Sequence, residues 1–274
     1  MPRALSLDIF CKVVDNFGDA GICFRLARQL ATEYGFRTRL WIDDPAPLAP
    51  WRDDLPNGVE IRRWPDEGES AGVADIADVI IEAFACEIPA ARQEAMASRP
   101  LPPCWINLEY LSAEGWVAGC HARASPHPRL PLTKYFFFPG FTPDTGGLLR
   151  EKDLPARQEA FRQMADREKW LASHGLCAGL RPDTLLVSLF CYDTAPLAAL
   201  IEIWRRESAP ILCLVAPGKP RQAVETALGL EESAPGKDGL LYESGALRLV
   251  VFPFLTQTAY DELLWLCDLN FVRG

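Results

Sequence analysis

Residues 5–44, LSLDIFCKVVDNFGDAGICFRLARQLATEYGFRTRLWIDD, have the pattern of a strand, a helix and a second strand. The apolar run LSLDIFCKVV is typical of a buried strand, and DNFGDAG follows it as a predicted turn. The segment ICFRLARQLATEYG is predicted to be a helix that ends at Gly35, because its apolar residues recur at helical spacing. These residues are Ile22, Leu26, Leu30 and Tyr34. The second strand, FRTRLWIDD, completes a βαβ unit and therefore predicts a parallel sheet.

Strands and helices continue to alternate in two blocks. The first block contains the predicted strands GVEIRRW, ADVIIEAF and PCWINLEYL and the helix ARQEAMASR, and then residues 121–150, which are predicted to be irregular. The polar segment EKDLPARQEAFRQMADREKWLASHG is predicted to be one connecting helix. The second block runs from the strand TLLVSLFCY through LAALIEIWRRE, PILCLVAP, RQAVETALGL, ALRLVVFPF and AYDELLWLCD to LNFVRG.

The pattern predicts an α/β protein of two Rossmann-like domains that face each other across a cleft. We assign the N-terminal domain to residues 1–152, a linker helix to 153–180 and a partial C-terminal domain to 181–274. In open α/β sheets, ligands bind beyond the carboxyl ends of the strands. Residues that directly follow the predicted strands are therefore the first candidates for a functional site.

Composition excludes several classes of protein. The net charge of −9 gives the chain no general attraction for nucleic acid. No apolar run approaches the length of a membrane span, and MPRALSLDIF lacks the features of a signal peptide. The nine cysteines form no C-x-x-C pair and the histidines lack ligand spacing, so we expect a cytoplasmic protein without a metal site.

The turn after the first predicted strand carries two acids, Asp15 and Asp19, and two glycines, Gly18 and Gly21. It lacks the G-x-G-x-x-G fingerprint, and two carboxylates would repel a phosphate. A neutral or cationic acceptor suits this end of the sheet better, with the two acids orienting it and accepting its proton. Spacing by itself favours a plainer interpretation, in which Asp19 is a helix N-cap and Asp15 forms the turn.

Other strand ends carry weaker candidates. Glu109 and Tyr110 end a strand of the first block, where a solvated carboxylate is the simpler interpretation of Glu109. Aromatic side chains that end strands of the second block can stack on a nucleobase, and a glutamine can bind its edge. These residues are Phe190, Tyr192, Phe252, Phe254 and Gln257. Core packing explains the aromatic residues equally well. Arg273 and Gly274 would begin a turn suited to a diphosphate.

Eight segments in order resemble the EarP family of protein-arginine rhamnosyltransferases. They are DIFCKVVDNFGDAG, WIDD, IEAFACEIP, WINLEYLSAE, KYFFFPGFT, TGGLLRE, SLFCY and CDLNFVRG. The resemblance covers the whole chain and implies an inverting glycosyltransferase of the GT-B architecture. It implies transfer of L-rhamnose from dTDP-β-L-rhamnose to one arginine of translation elongation factor P, which activates the factor to rescue ribosomes stalled at polyproline. The identity of the sugar depends on this resemblance alone.

The resemblance also assigns roles to individual residues. Asp19 matches the family's general base and Asp15 the second acid of the same turn, while Asn16, Phe17 and Gly18 belong to its donor-binding loop. The thymidine-nucleotide pocket matches Phe190, Tyr192, Phe254 and Gln257, and Tyr260 stands where the family often has another aromatic residue. No cofactor or metal is implied.

The chain departs from the family at its end. The family continues past VRG with a Glu-Asp-Ser segment, whose Glu is catalytically important and whose neighbours hold the diphosphate. This sequence ends at Gly274. We therefore expect weak or no activity from these residues alone, and an unpaired sheet edge in the second domain.

Two other functions fit the sequence pattern. A nucleotide-dependent oxidoreductase would use Asp43 or Asp44 after the second strand, but the glycine fingerprint it requires is absent. A non-catalytic protein could instead use an acidic cleft to bind a basic protein surface. Binding of dTDP rather than NAD would argue against the first alternative, and sugar transfer would argue against the second.

Overall fold

The chain divides into two compact α/β units, Met1–Lys152 and Asp153–Gly274. The structure is a computed structural model that describes residues 4–14, 16–66, 72–176, 180–192, 195–231 and 239–273. Asp15 and Gly274 lie outside these residues, and for Asn16, Phe17 and Arg273 only the backbone is described. The predicted α/β class is confirmed, because each unit contains its own mainly parallel sheet with helices.

The first unit has seven strands in the order β3-β2-β1-β4-β5-β7-β6. All neighbours are parallel except β6 and β7. The strands are β1 Ser6–Cys11, β2 Arg37–Ile42, β3 Val59–Arg63, β4 Val79–Ala83, β5 Cys104–Leu108, β6 Ala124–Pro126 and β7 Thr133–Phe137. The helices are α1 Asn16–Tyr34 and α2 Ala90–Ala97, with 3-10 segments at Ala46–Asp54, Val73–Asp75 and Val117–Gly119.

The predicted βαβ unit is confirmed, with one correction at its turn. β1 and β2 pair in parallel, and Gly35 follows α1 in a left-handed conformation with φ 71°. Helix α1, however, begins at Asn16, so residues 16–21 of the predicted turn are already helical. Asp19 lies inside the first helical turn, and the N-cap interpretation of this residue is wrong.

Two further predictions about the chain's elements are wrong. Residues 121–150 were expected to be irregular, but β7 pairs in parallel with β5 and forms a short hairpin with β6. Tyr135, Phe136 and Phe137 favour a strand by their β-propensity. The strand was nevertheless not predicted, because these residues show no alternation of apolar and polar side chains. The predicted single linker helix is two helices of the second unit, interrupted at Ala165, where the backbone is extended.

The second unit has five strands in the order β10-β11-β9-β8-β12, all parallel except the β10–β11 pair. The strands are β8 Leu185–Cys191, β9 Ile211–Val215, β10 Gly239–Ser244, β11 Leu247–Val251 and β12 Leu269–Arg273. The helices are α3 Leu154–Met164, α4 Arg167–Ser173, α5 Leu197–Trp204, α6 Lys219–Leu228 and α7 Gln257–Leu266. β10 was not predicted. Among the described residues, no helix is both long and apolar enough to cross a membrane.

The carboxylate of Asp268, the residue before β12, binds Arg167, the first residue of α4. Asp268 Oδ2 accepts hydrogen bonds from Arg167 Nη1 at 3.0 Å and from the Leu186 backbone N–H at 2.9 Å. Burial raises the pKa of Asp268, but the Arg167 hydrogen bond and the Leu186 N–H together hold it below its ordinary value of 3.8. The charged carboxylate therefore favours the folded second unit.

We expect the stabilisation from Asp268 to disappear in acid. Because the pKa is lower in the folded state, the contribution is present above the unfolded value of 3.8 and is lost as the pH falls through the folded value. Asp268→Asn should lower the free energy of unfolding by less than about 1 kcal/mol at neutral pH, since the ion pair is partly exposed. Denaturant titrations of both proteins from about pH 7 to pH 3 should show this difference shrinking. A difference that stays constant over this range would contradict the prediction.

Candidate active site

The carboxylate of Asp19 is buried and held by hydrogen bonds at both oxygens. Only 1% of the residue is exposed. Oδ2 accepts a hydrogen bond from the Val14 backbone N–H at 2.9 Å, and Oδ1 accepts one from the Tyr110 hydroxyl at 2.8 Å. Hydrogen bonds to a carboxylate are strong, so these two donors fix the orientation of the group.

Sheet topology places Asp19 where α/β proteins bind ligands. β1 lies between β2 and β4, so the connections that leave the sheet here run in opposite directions. A crevice forms at such a point beyond the carboxyl ends of the strands. Asp19 follows β1, Phe84 follows β4 and Tyr110 follows β5, so three successive strands of the sheet supply side chains to this edge.

Tyr110 stacks on Phe84, which begins a strained turn. The two ring centroids are 4.0 Å apart and the rings are nearly parallel, with an angle of 7°. Phe84, Ala85 and Glu87 have φ values of 55°, 52° and 55°, in the left-handed region that side chains other than glycine disfavour. Each such residue costs about 1–2 kcal/mol. Strain of this kind persists only where the surroundings enforce it, and it is concentrated at functional sites.

The buried carboxylate of Glu82 binds the backbone at the far end of this turn. It is 2% exposed and accepts hydrogen bonds from the Glu87 backbone N–H, Trp105 Nε1 and Lys134 Nζ, each at 3.1 Å. At the start of the turn, the Phe84 backbone N–H donates to the Leu108 carbonyl at 2.7 Å. Both ends of the strained segment are therefore anchored to neighbouring strands.

Three buried thiols lie beneath the site. The Cys86 thiol donates to the Phe10 carbonyl at 3.3 Å, and burial, followed by the charge of Glu82, raises the Cys86 pKa to about 12. A hydrogen bond with Cys11 and burial raise the pKa of Cys23 well above its ordinary value, with smaller contributions from nearby charges that include Asp19. The thiols of Cys23 and Cys86 therefore stay neutral, which argues against either of them as a nucleophile.

Other predicted residues of the first unit occupy defined positions. Tyr110 contacts Asp19, as described above, but Glu109 turns to Asn107, whose Nδ2 donates to Glu109 Oε1 at 2.6 Å. Asn16, Phe17 and Gly18 lie in the first turn of α1. Asp43, which an NAD enzyme would use for ribose, accepts hydrogen bonds at Oδ1 from the backbone N–H groups of Val13 and Asp44, both at 2.8 Å.

In the second unit, Phe190 and Tyr192 lie at the carboxyl end of β8. Their rings meet edge to face, with centroids 6.2 Å apart. Lys219 Nζ lies 5.6 Å from the centre of the Tyr192 ring and begins α6, directly after Gly218, whose φ is 81°. The backbone of Arg273 pairs with Cys191, so the end of β12 lies beside the end of β8.

The remaining predicted residues of this unit follow β11. Phe252 is only 4% exposed and packs in a hydrophobic cluster against which Phe190 and Tyr260 also pack. Burial raises the pKa of Tyr260, so its phenol stays neutral. Gln257 Nε2 donates to Oδ1 of the buried Asp261 at 3.0 Å, which fixes the side-chain amide. Phe254 lies between β11 and α7 and is partly buried.

Sequence reasoning missed Phe84, Glu82 and Lys219. The segment IEAFACEIP was recognised, but the left-handed turn that places Phe84 beneath Tyr110 has no glycine to reveal it. Glu82 interrupts an otherwise apolar strand, and this is a signal of a buried carboxylate with partners. Gly218 lies three residues after the end of β9 and caps α6, which Lys219 opens, a pattern that could have indicated an anion-binding cation.

No group of three histidine, cysteine, aspartate or glutamate side chains suited to a metal ion occurs in the described ranges. Among the described residues, candidates for acting on a ligand include the oriented Asp19 carboxylate in the first unit, and aromatic, amide and ammonium groups in the second.

Comparison with known proteins identifies the family. The family model "Elongation-Factor P (EF-P) rhamnosyltransferase EarP" matches residues 7–274. Protein-arginine rhamnosyltransferases of Pseudomonas putida and Pseudomonas aeruginosa are 46% and 44% identical to the chain. The alignments cover 97% and 98% of this chain and 71% and 72% of those relatives. The rhamnosyltransferase of Shewanella oneidensis is 39% identical over 97% of this chain and 71% of its own.

A solved structure shares the fold. It belongs to work on the structural basis for EarP-mediated arginine glycosylation of translation elongation factor EF-P. Its TM-score to this chain is 0.61 and its sequence identity 32%, over 98% of this chain and 67% of the solved one. The match is consistent with a GT-B-like fold of two α/β domains. With the family model and the curated relatives in agreement over nearly every residue, the chain belongs to the EarP family of glycosyltransferases.

Proposed function

We propose that this enzyme transfers L-rhamnose from dTDP-β-L-rhamnose to an arginine side chain of elongation factor P, with inversion at the anomeric carbon. The observation that carries the proposal is the buried Asp19 carboxylate, oriented by two hydrogen bonds at the switch point of the first sheet. The rhamnosyltransferase names of the relatives supply the sugar and the acceptor group. We place the reaction in the cytoplasm, where a translation factor acts.

In this proposal Asp19 acts as the general base. An arginine is a poor nucleophile because its guanidinium stays protonated, with a pKa above about 12. A carboxylate that accepts a guanidinium proton during attack leaves a nitrogen lone pair to form the new bond. The fixed carboxylate needs no reorientation at that moment, which lowers the entropic cost of the step. Asp15, four residues before Asp19 in the sequence, would bind the other side of the guanidinium.

Each bond change then has a defined partner. The arginine nitrogen forms a bond to the anomeric carbon as the bond from that carbon to the diphosphate oxygen breaks. The nitrogen loses a proton to Asp19, and dTDP leaves with the electron pair. Attack from the face opposite the leaving group inverts the configuration. Lys219, at the start of α6, and Arg273, at the end of β12, are the cations we propose for the diphosphate, so the step requires no metal.

The second unit would bind the nucleotide. Phe190, Tyr192 and Phe254 offer aromatic surface for the thymine base. With its Nε2 bound to Asp261, Gln257 can present its carbonyl oxygen to a ring N–H of the base. Tyr260, Asn16, Phe17, Gly18 and Gly274 remain proposed donor contacts. Phe252 would support this pocket from beneath, because so little of its ring is exposed.

The proposal is tested by intact-mass spectrometry of elongation factor P after incubation with the enzyme and dTDP-β-L-rhamnose. The assay uses a full-length version, meaning one with the length of the curated relatives, of which this chain covers 71% and 72%. We expect the factor to gain one deoxyhexose, and a factor whose target arginine is replaced by lysine to gain none.

Two outcomes would reject the proposal. Binding of elongation factor P without any gain in mass would favour a non-catalytic binding protein. Thermal stabilisation of the chain by NAD, and none by dTDP, would favour the oxidoreductase. Stabilisation by dTDP alone is the expected result, because ligand that binds only the folded state raises the unfolding temperature.

A further inference from the structure

We propose that Tyr110 is a positioning residue for the reaction, and that Phe84 holds it in place. This inference rests on the proposed role of Asp19 as the base. Tyr110 would not take part in bond making. It would keep one carboxylate oxygen of Asp19 occupied, so that the group points in a single direction when the acceptor arrives.

The hydrogen bond between Tyr110 and Asp19 supports this assignment. The hydroxyl lies 2.8 Å from Oδ1, while the Val14 N–H occupies Oδ2 at 2.9 Å. The Val14 donor belongs to the backbone beside Asp19, but Tyr110 comes from the end of β5, 91 residues away in sequence. Tyr110 is thus a long-range constraint on the carboxylate, and its substitution leaves the local helix turn unchanged.

Tyr110 needs support of its own because it is 47% exposed. A tyrosine this exposed would ordinarily change rotamer freely. Here its ring lies flat against Phe84, at a centroid distance of 4.0 Å and an angle of 7°. The stacking holds the ring plane, and the ring plane determines where the hydroxyl points.

The position of Phe84 is in turn enforced by the strained turn after β4. Glu82 binds the Glu87 N–H at one end, the Cys86 thiol donates to Phe10 at the centre, and the Phe84 N–H binds Leu108 at the other end. Three residues of this turn have positive φ without being glycine. A turn without these strained residues would place Phe84 elsewhere. We therefore infer that the strain is maintained because it keeps the Phe84 ring stacked on Tyr110.

Kinetics of three variants of the full-length version test the proposal. Tyr110→Phe keeps the ring and loses the hydroxyl, and we expect kcat to fall about 10- to 100-fold, as for a slightly misplaced catalytic group. The KM for elongation factor P should stay within about twofold, because binding of the acceptor is not the function assigned to Tyr110. Phe84→Leu should lower kcat less, and the double variant should be no slower than Tyr110→Phe, because the two residues act in series.

Tyr34→Phe provides the matched control. Tyr34 is also exposed, at 56%, and lies at the far end of α1 from Asp19, so its kcat should be unchanged. An unchanged kcat for Tyr110→Phe would overturn the proposal. It would also be overturned by a raised KM with normal kcat, which would make Tyr110 an acceptor contact, or by additive effects in the double variant.

A crystal structure of Tyr110→Phe tests the same inference without relying on activity. We expect the Asp19 carboxylate to rotate or to occupy two orientations, and an unmoved carboxylate would reject the positioning role. If the unsubstituted enzyme transfers no sugar, the proposed function fails, whereas the crystal structure still decides whether Tyr110 positions Asp19.

Discussion

Asp19→Asn in the full-length version should reduce transfer of rhamnose to elongation factor P by about 10³-fold, within the range that general bases contribute. The amide has nearly the same shape as the carboxylate but cannot accept the guanidinium proton. Binding of dTDP should be retained, since the residues we assign to the thymine base belong to the second unit and Asp19 is not among the proposed donor contacts. Intact-mass spectrometry of the factor over time measures the rate, and calorimetric titration with dTDP measures donor binding.

Asp144→Asn is the matched control for that experiment. Asp144 is an exposed acid of the same unit, and its substitution removes one negative charge without touching Asp19. We expect it to retain full activity. Near-normal transfer by Asp19→Asn, or an equal loss in both variants, would contradict the assignment of the base.

Asp8→Ala should lower the free energy of unfolding of the first unit by about 3–5 kcal/mol, the usual cost of breaking a buried ion pair from one side. Asp8 lies in β1 and is fully buried. Its carboxylate binds Nε and Nη2 of Arg39, the residue opposite it in β2, at 2.5 and 2.8 Å. Arg92 of α2 lies 3.7 Å away. Alanine would leave the buried Arg92 and the partly buried Arg39 without this carboxylate. Urea denaturation followed by tryptophan fluorescence measures the loss.

The exposed pair Arg63–Asp66 serves for comparison, because its side chains are 63% and 76% exposed. Asp66→Ala should cost less than about 1 kcal/mol, since water and salt screen such pairs. Equal losses for Asp8→Ala and Asp66→Ala would show that burial does not set the strength of the ion pair in β1.

The sequence predicted those parts of the fold that depend on local periodicity. Spacing of apolar residues predicted α1 from Ile22 onward, although the helix begins at Asn16. The short apolar runs predicted β1, β4, β8 and β9 within a few residues of their observed bounds. These segments are buried on the sheet or on one helical face, so packing and pattern agree. The family resemblance rested on the same strand ends, which is why it also indicated Asp19.

Parts that depend on tertiary contacts could not be predicted. β7 forms by pairing in parallel with β5. Its aromatic sequence alone does not distinguish a strand from a packed loop. The division between α3 and α4 depends on Asp166, whose carboxylate caps α4 by accepting the Lys169 N–H at 3.1 Å. Nothing in the spacing of Phe84, Tyr110 and Asp19 indicates that the three side chains meet, because each follows a different strand.

The most direct measurement is a crystal structure of the Asp19→Asn variant, in its full-length version, with dTDP-β-L-rhamnose and elongation factor P. The account predicts a guanidinium nitrogen of the target arginine within about 3.2 Å of the residue 19 side chain, the range for proton transfer. It also predicts the thymine base beside Phe190 and Gln257. A guanidinium held by other groups, with residue 19 out of reach, would contradict it.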